Sequence, residues 1–172
     1  MDSYFESIGV SNIRGREALL PLQDISDRLE IQDLMARYSF AIDERDWDAL
    51  DAVFTPDARI DYSETGGASG SYPQVKAWLP RALERFPVFQ HMVATMKLDI
   101  DGDRARARTI LFNPMVHRDD AGQDSTFFIG LWYRDELVRT AQGWRISARH
   151  EDMAWSHAVP PMPPVPALEE AA

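Results

Sequence analysis

The chain has 172 residues, of which 45% are hydrophobic and 27% charged, a composition typical of one globular domain with a sizeable core. Its formal net charge of -10 disfavours binding to nucleic acid or to anionic membranes, because both carry negative charge. There is no cysteine, which excludes disulfides, thiolate metal sites and cysteine nucleophiles. No apolar run approaches the ~20 residues of a membrane span, and the acidic start is unlike an export signal, so we expect a cytoplasmic protein.

Three helices are predicted in the first half of the chain. Residues 1–23 show no sustained period and are interpreted as an N-terminal arm. From Asp27, a start that resembles a capping box leads into apolar residues at helical spacing. A short second helix follows Asp46, a candidate cap. A third begins near Pro73 and contains Pro80, which should kink or split it.

The pattern changes to period two in the second half of the chain. A short strand is predicted at residues 58–62, between the second and third helices, and four long strands at residues 89–100, 105–117, 126–138 and 144–155. Turn-forming Asp and Gly residues separate the long strands. Helices followed by an antiparallel meander predict an α+β fold, in which three N-terminal helices pack on a curved, mostly antiparallel sheet as a cone-shaped barrel.

Two segments carry more than one interpretation. Arg104, Arg106 and Arg108 alternate along one predicted strand and therefore share a face, which we interpret as solvated, a polyphosphate site being the alternative. Residues 158–172 form a C-terminal tail with five prolines between Pro160 and Pro166, which cannot continue a sheet. This tail is either a disordered end or a lid or strap, the strap lying on a neighbouring subunit.

Two stretches of the chain resemble a known family. The stretch DRLEIQDLMARYSFAIDERDWDALDAVFTPDARIDYS closely resembles the opening of SnoaL-like (nuclear-transport-factor-2-like) domains, and GLWYRDELVRTAQGWRISARHE resembles their closing hairpin. The resemblance implies a domain over residues 24–157 and assembly as a homodimer or homotrimer. It does not by itself imply one activity, because this fold hosts dehydratases, isomerases, cyclases, dehydrochlorinases and non-catalytic proteins.

Site residues follow from one branch of that superfamily, which includes scytalone dehydratase, bile-acid 7α-dehydratase and lindane dehydrochlorinase. Its aspartate at the end of the first helix and its histidine on the strand after the third helix are matched by Asp43 and His91. A tyrosine five residues before the aspartate is matched by Tyr38. An arginine on the last strand is matched by Arg149, which a one-residue bulge would exchange with His150.

Each of these residues has a structural alternative. A carboxylate is disfavoured at the negative end of a helix, so Asp43 needs a compensating partner or is a solvated turn residue. A histidine held by a carboxylate can accept a proton near neutral pH, but His91 is otherwise a core histidine. Tyr38 is a hydrogen-bond donor to substrate or a core tyrosine, and Arg149 binds an anionic group or forms a structural salt bridge.

The remaining predictions concern the pocket and its chemistry. The candidate pocket residues are Phe89, Phe112, Phe127, Phe128, Trp132, Met115 and Met153, with Asn113 as a polar contact. No metal site is predicted, because His150, Glu151 and Asp152 are consecutive and cannot converge from a strand, and no cofactor motif is present.

The hypothesis is a cofactor-independent lyase that removes a proton beside a carbonyl and eliminates water from a hydrophobic, steroid-like or polyketide-like hydroxy-ketone. An isomerase or cyclase with the same residues, or a non-catalytic binding or assembly domain, is the alternative. Contact between Asp43 and His91 within a closed cavity would favour an enzyme.

Overall fold

The computed structural model describes residues 19–162 and 164–168, so residues 1–18 of the predicted arm lie outside the described residues. The helices are α1 (Leu22–Asp43) and α2 (Tyr72–Ala82), with 3₁₀ turns at Asp48–Ala52 and Ser63–Thr65. The strands are β1 (Phe54–Asp61), β2 (Ser69–Ser71), β3 (Val88–Phe89), β4 (Met92–Asp101), β5 (Arg104–Arg118), β6 (Asp124–Thr140) and β7 (Gly143–His157).

The strands form one seven-stranded sheet in the order β2-β1-β7-β6-β5-β3, with β4 also paired to β5. Strands β5, β6 and β7 are a long antiparallel meander, and β1 joins β7 in parallel. The register between β6 and β7 shifts twice, at Gly130/Leu131 and at Glu136/Leu137, and such bulges bend a strand. Helix α1 contacts both β4 and β7, so the bent sheet wraps around it.

The fold class is α+β as predicted, but the described residues contain two α-helices and not three. The predicted second helix is the 3₁₀ turn at Asp48–Ala52, and the Asp46 carboxylate accepts a hydrogen bond from the Ala49 N–H at 3.1 Å, as expected of a cap. The turn cannot lengthen into a helix because the chain enters β1 at Phe54, where it pairs with β7.

The two faces of the sheet differ sharply in burial. Residues 105, 107, 109, 111, 113, 115 and 117 of β5 are buried against the helices and form part of the inner face. Arg104, Arg106 and Arg108 are exposed on the outer face, as the solvated interpretation predicts. None of the described helices is both long and apolar enough to cross a membrane.

Asp27 is not the helix cap that its sequence context predicts. Helix α1 begins at Leu22, so Asp27 lies within it, where its carboxylate accepts hydrogen bonds from Arg139 at 2.6 and 2.7 Å and from the Trp144 indole at 3.1 Å. The Arg139 guanidinium holds the pKa of Asp27 well below its usual range, despite burial. A buried carboxylate therefore joins α1 to β6 and β7.

We expect Asp27→Ala to lower the free energy of unfolding by about 3 kcal/mol, because it leaves the partly buried Arg139 with only the exposed Asp103 as its partner. Asp33→Ala is the matched control, since Asp33 pairs with Arg37 on the exposed side of the same helix at 2.9 Å. That change should cost about 0.5 kcal/mol or less. Urea unfolding at neutral pH measures both, and equal losses would contradict the structural role of Asp27.

Candidate active site

A cavity of about 850 Å³ lies between α2, the inner face of β5 and β6, and the C-terminal segment. Most of its lining is apolar and includes Ile42, Leu79, Met115, Phe127, Ile129 and Leu131. The groups on its wall that could take part in proton transfer or hydrogen bonding to a ligand include Tyr38, Tyr62, His91, Asn113 and Glu151. An apolar cavity with few polar groups suits a small hydrophobic ligand.

Asp43 and His91 are in direct contact at the edge of this cavity. His91 Nδ1 lies 2.6 Å from Asp43 Oδ1, and the His91 backbone N–H donates to both carboxylate oxygens at 2.9 and 3.1 Å. These donors supply the compensation that a carboxylate at a helix C-terminus requires. Because the carboxylate accepts the Nδ1 proton, Nε2 of the neutral ring keeps a lone pair for a ligand.

Two local irregularities make this contact possible. Helix α1 ends at Asp43 because Arg45 adopts a left-handed backbone with φ 59°, held by hydrogen bonds from its guanidinium to the carbonyls of Leu83 and Phe86. The prediction that His91 lies on a strand is wrong, since it falls in the break between β3 and β4. The break frees the His91 N–H from the sheet, and Asp43 accepts it.

Tyr38 and Tyr62 form a hydrogen-bonded pair on the cavity wall, with hydroxyl oxygens 3.1 Å apart. Burial raises the pKa of both tyrosines, so both hydroxyls keep their protons at neutral pH. One proton is used within the pair, which leaves the other for donation. The sequence analysis missed Tyr62, although it continues the alternation of the buried Ala58 and Ile60 along β1.

Arg149 is fully buried but is not among the residues that line the cavity. It donates two hydrogen bonds to Asp135, at 2.7 and 2.8 Å, and lies between the rings of Tyr38 and Tyr133, at 4.0 and 3.9 Å from their centres. The sequence left two interpretations of Arg149, and the structure supports the structural salt bridge. The charge of Arg149 acts on the cavity wall from behind, where it lowers the pKa of Tyr38, Tyr62 and Glu151 against the effect of burial.

Glu151 is a second residue of the cavity wall to which the sequence analysis gave no role. Burial raises its pKa to about 7, with a smaller contribution from Asp135, while the charges of Arg149 and His150 act in the opposite direction. Its Oε2 lies 2.6 Å from the hydroxyl oxygen of Thr65, a bond that lowers the pKa of Glu151 only if Thr65 is the donor. Burial therefore keeps this carboxyl group protonated at pH values at which an ordinary glutamate is ionised.

His150 lies on the outer face of the sheet, opposite Arg149 and Glu151. Its ring nitrogens are 3.2 to 3.4 Å from carboxylate oxygens of Asp61, Glu64 and Asp152. The bulge that precedes it is at Ser147, because Glu136 pairs with Ala148 while Leu137 pairs with Ile146. Arg149 therefore keeps the inward position, and the exchange with His150 does not occur.

The predicted pocket residues divide between the two faces of the sheet. Asn113, Met115 and Phe127 line the cavity. Phe112, Phe128 and Trp132 do not, because alternation along β5 and β6 places them on the outer face, where Phe112 and Phe128 stack at 5.7 Å. Phe89 packs behind His91 with ring centres 5.8 Å apart, and the Met153 N–H donates to Glu64, so neither lines the cavity.

The C-terminal tail forms the outer wall of the cavity. Residues 159, 160, 162 and 164–166 line it, and the Trp78 indole donates a hydrogen bond to the Pro166 carbonyl at 2.6 Å. Leu168 packs on Gly70, where a Cβ would lie 2.7 Å from the leucine Cδ1. We call residues 159–162 and 164–168 the C-terminal strap. This arrangement corresponds to the lid interpretation, formed within a single chain.

Comparison with known proteins assigns the family. The model of the SnoaL-like domain matches residues 23–150. This chain belongs to the SnoaL-like family. An uncharacterized protein from Mycobacterium tuberculosis is 52% identical over 134 residues, which cover 78% of this chain and 90% of that protein.

Solved structures share the fold. A protein from Kribbella flavida is 26% identical with a TM-score of 0.71, covering 78% of this chain and 95% of its own. A scytalone dehydratase-like protein from Novosphingobium aromaticivorans is 17% identical with a TM-score of 0.71, covering 87% and 97%. A hexachlorocyclohexane dehydrochlorinase from Novosphingobium barchaimii is 20% identical with a TM-score of 0.67, covering 81% and 99%. The last two share the fold and carry no further assignment.

The raised pKa of Glu151 predicts how the stability of this SnoaL-like domain depends on pH. A pKa of about 7 in the folded protein, above the ordinary 4.5, means that the folded state holds a proton that the unfolded state releases between those values. The free energy of unfolding should therefore fall by about 2–3 kcal/mol as the pH rises through this window. Glu151→Gln should abolish that fall, whereas Glu136→Gln, at an exposed position, should keep it. Urea unfolding at several pH values measures the difference, and parallel curves for all three proteins would contradict it.

Trp78→Phe should loosen the C-terminal strap, because phenylalanine keeps the ring in place but cannot donate to the Pro166 carbonyl. Losing one hydrogen bond of about 1 kcal/mol raises the open population about fivefold. The association rate of an apolar fluorescent dye with the cavity, followed by stopped flow, should rise accordingly. Trp155→Phe, at an exposed tryptophan, is the matched control, and an unchanged rate in Trp78→Phe would show that the strap does not limit entry.

Proposed function

We propose that this protein is a cofactor-independent lyase that removes a proton beside a carbonyl of a hydrophobic small molecule and then eliminates water. The observation that carries the proposal is the position of His91, on the wall of an apolar cavity with Nδ1 bound to Asp43. In this reaction Nε2 is the base. Asp43 fixes the tautomer and stabilises the imidazolium that forms, as an orienting carboxylate does in other histidine bases.

The tyrosine pair accounts for the second requirement, stabilisation of the enolate oxygen. The proton that Tyr38 and Tyr62 do not use between themselves is donated to that oxygen, inside a cavity where such a bond is stronger than in water. Arg149 acts through the ring of Tyr38 as a positioning residue. Asn113 adds a polar contact, since its buried Oδ1 has no hydrogen-bond partner among the described residues.

The size and lining of the cavity favour a hydrophobic substrate. A volume of about 850 Å³ lies within the range of ~300–1,000 Å³ typical of small-molecule sites. A steroid-like or polyketide-like hydroxy-ketone fits this description. Homodimer or homotrimer assembly stays a prediction from the family resemblance.

The alternatives differ in what they require of His91. An isomerase or cyclase begins with the same deprotonation, and would differ only in the product. A non-catalytic binding domain needs the cavity and the C-terminal strap but does not need a histidine held by a carboxylate on the cavity wall. Proton exchange therefore separates the two classes without knowledge of the natural substrate.

The test is exchange of the protons beside the carbonyl in deuterated water, followed by NMR for a panel of hydrophobic ketones. The protein should accelerate deuterium incorporation, and His91→Ala should lower the rate by at least ~100-fold, the lower end for a general base. Asp43→Asn should lower it as well, because an amide stabilises the imidazolium less than a carboxylate.

Matched controls are His157→Ala and Asp57→Asn, which change exposed residues away from the cavity. Both should exchange at the wild-type rate. A His91→Ala variant that folds and exchanges as fast as wild type would contradict the role of His91 as the base. Binding of the ketones without any catalysed exchange would favour the non-catalytic domain.

A further inference from the structure

Glu151 is a buried acid on the cavity wall to which the proposed reaction gives no role so far. It shares the cavity with His91 and Tyr62, and its carboxyl group contacts Thr65. No cation among the described residues forms an ion pair with it; Arg149, its neighbour along β7, pairs with Asp135. Its environment therefore differs from that of the buried Asp27, which is paired with Arg139.

Thr65 is a polar neighbour of the Glu151 carboxyl group on the cavity wall. The Thr65 hydroxyl oxygen is 2.6 Å from Glu151 Oε2 and 2.9 Å from the Tyr62 carbonyl oxygen. A hydroxyl has one proton, so Thr65 can donate fully to only one of these two acceptors. When Thr65 donates to the Tyr62 carbonyl, a protonated Glu151 can donate to the Thr65 oxygen. Burial without a countercharge favours the same neutral form.

We infer that Glu151 is the proton donor to the leaving hydroxyl group. The inference rests on the proposed lyase function, in which water is the leaving group, and it assigns the acid that the loss of water requires. A hydroxide ion is a poor leaving group inside an apolar cavity, whereas a halide leaves as a stable anion and needs no proton. A neutral acid on the wall therefore distinguishes dehydration from dehydrohalogenation.

The atoms and electrons of the elimination balance. His91 Nε2 takes the proton beside the carbonyl, and the electron pair of that C–H bond enters the enolate that Tyr38 and Tyr62 stabilise. As the carbonyl re-forms, that pair becomes the new carbon–carbon double bond and the C–O bond breaks. The leaving oxygen takes the proton of Glu151 and departs as water. The protein is left with an imidazolium at His91 and a carboxylate at Glu151, and transfer of one proton between them through water restores the starting state.

The test compares two probes with one carbon frame, the β-hydroxy ketone formed from benzaldehyde and acetone and its β-chloro analogue. In E151Q, kcat for loss of water should fall by at least ~100-fold, while loss of chloride should fall by less than about tenfold. E136Q, at an exposed position, is the matched control and should not change the ratio of the two rates. Gln keeps the size of the neutral acid, and unfolding curves show that the variant is folded.

Each outcome has one meaning. Equal losses on both probes in E151Q overturn the role of Glu151 and leave the lyase intact. If the wild-type protein neither eliminates from either probe nor exchanges their protons, the proposed function fails and the inference fails with it. An infrared difference spectrum between wild type and E151Q at pH 6, taken without substrate, should contain the band of a protonated carboxyl group. A spectrum without that band overturns the inference on its own.

Discussion

The contact between Asp43 and His91 depends on a carboxylate placed at the end of a helix where the backbone disfavours it. The last carbonyls of α1 make that end negative, and Asp43 is stabilised there by the backbone N–H and the ring of a single residue. Neither donor would be available if β3 and β4 were one continuous strand. The contact between Asp43 and His91 therefore requires both the break in the sheet and the end of the helix. Together they set the orientation of His91.

Buried ionisable groups of the described residues fall into two kinds, those that are paired with an opposite charge and those that are not. Asp27 and Arg149 are charged, and each has an oppositely charged partner with two hydrogen bonds. Glu151 has no such partner and instead keeps its proton to a higher pH, because burial raises its pKa to about 7. The paired groups hold elements together. The unpaired Glu151 remains able to exchange a proton with a ligand.

Much of the fold could be predicted from the sequence, because period-two alternation and glycine turns are local signals. Gly102, Gly122 and Gly143 all have positive φ, as the tight connections between the long strands require. The Asp27 pattern misled because an acid near the start of a helix serves equally as a cap or as a buried partner. Phe127 and Phe128 could not both face the cavity, and neither periodicity nor composition says which one does.

The site was only partly predictable for a related reason. Asp43 and His91 lie in positions that the family resemblance marks, whereas Tyr62 and Glu151 acquire their roles from neighbours that are distant along the chain. Thr65 is 86 residues from Glu151, and Trp78 is 88 residues from Pro166. A proline-rich segment has no hydrophobic period, so its sequence does not predict where on the folded domain it packs. Its position depends on the surface that the rest of the fold presents.

The C-terminal strap competes with ligands for the mouth of the cavity, and the strap and the cavity belong to the same molecule. Its prolines restrict the backbone before folding, so holding the strap against α2 costs less conformational entropy than holding a flexible segment of equal length would. Because the strap is covalently attached, its effective concentration at the cavity mouth does not change when the protein is diluted. The strap forms the outer wall of the cavity, so we expect ligand entry and product release to depend on how often it opens. The time that a molecule spends inside would then be set by an element that takes no part in the chemistry.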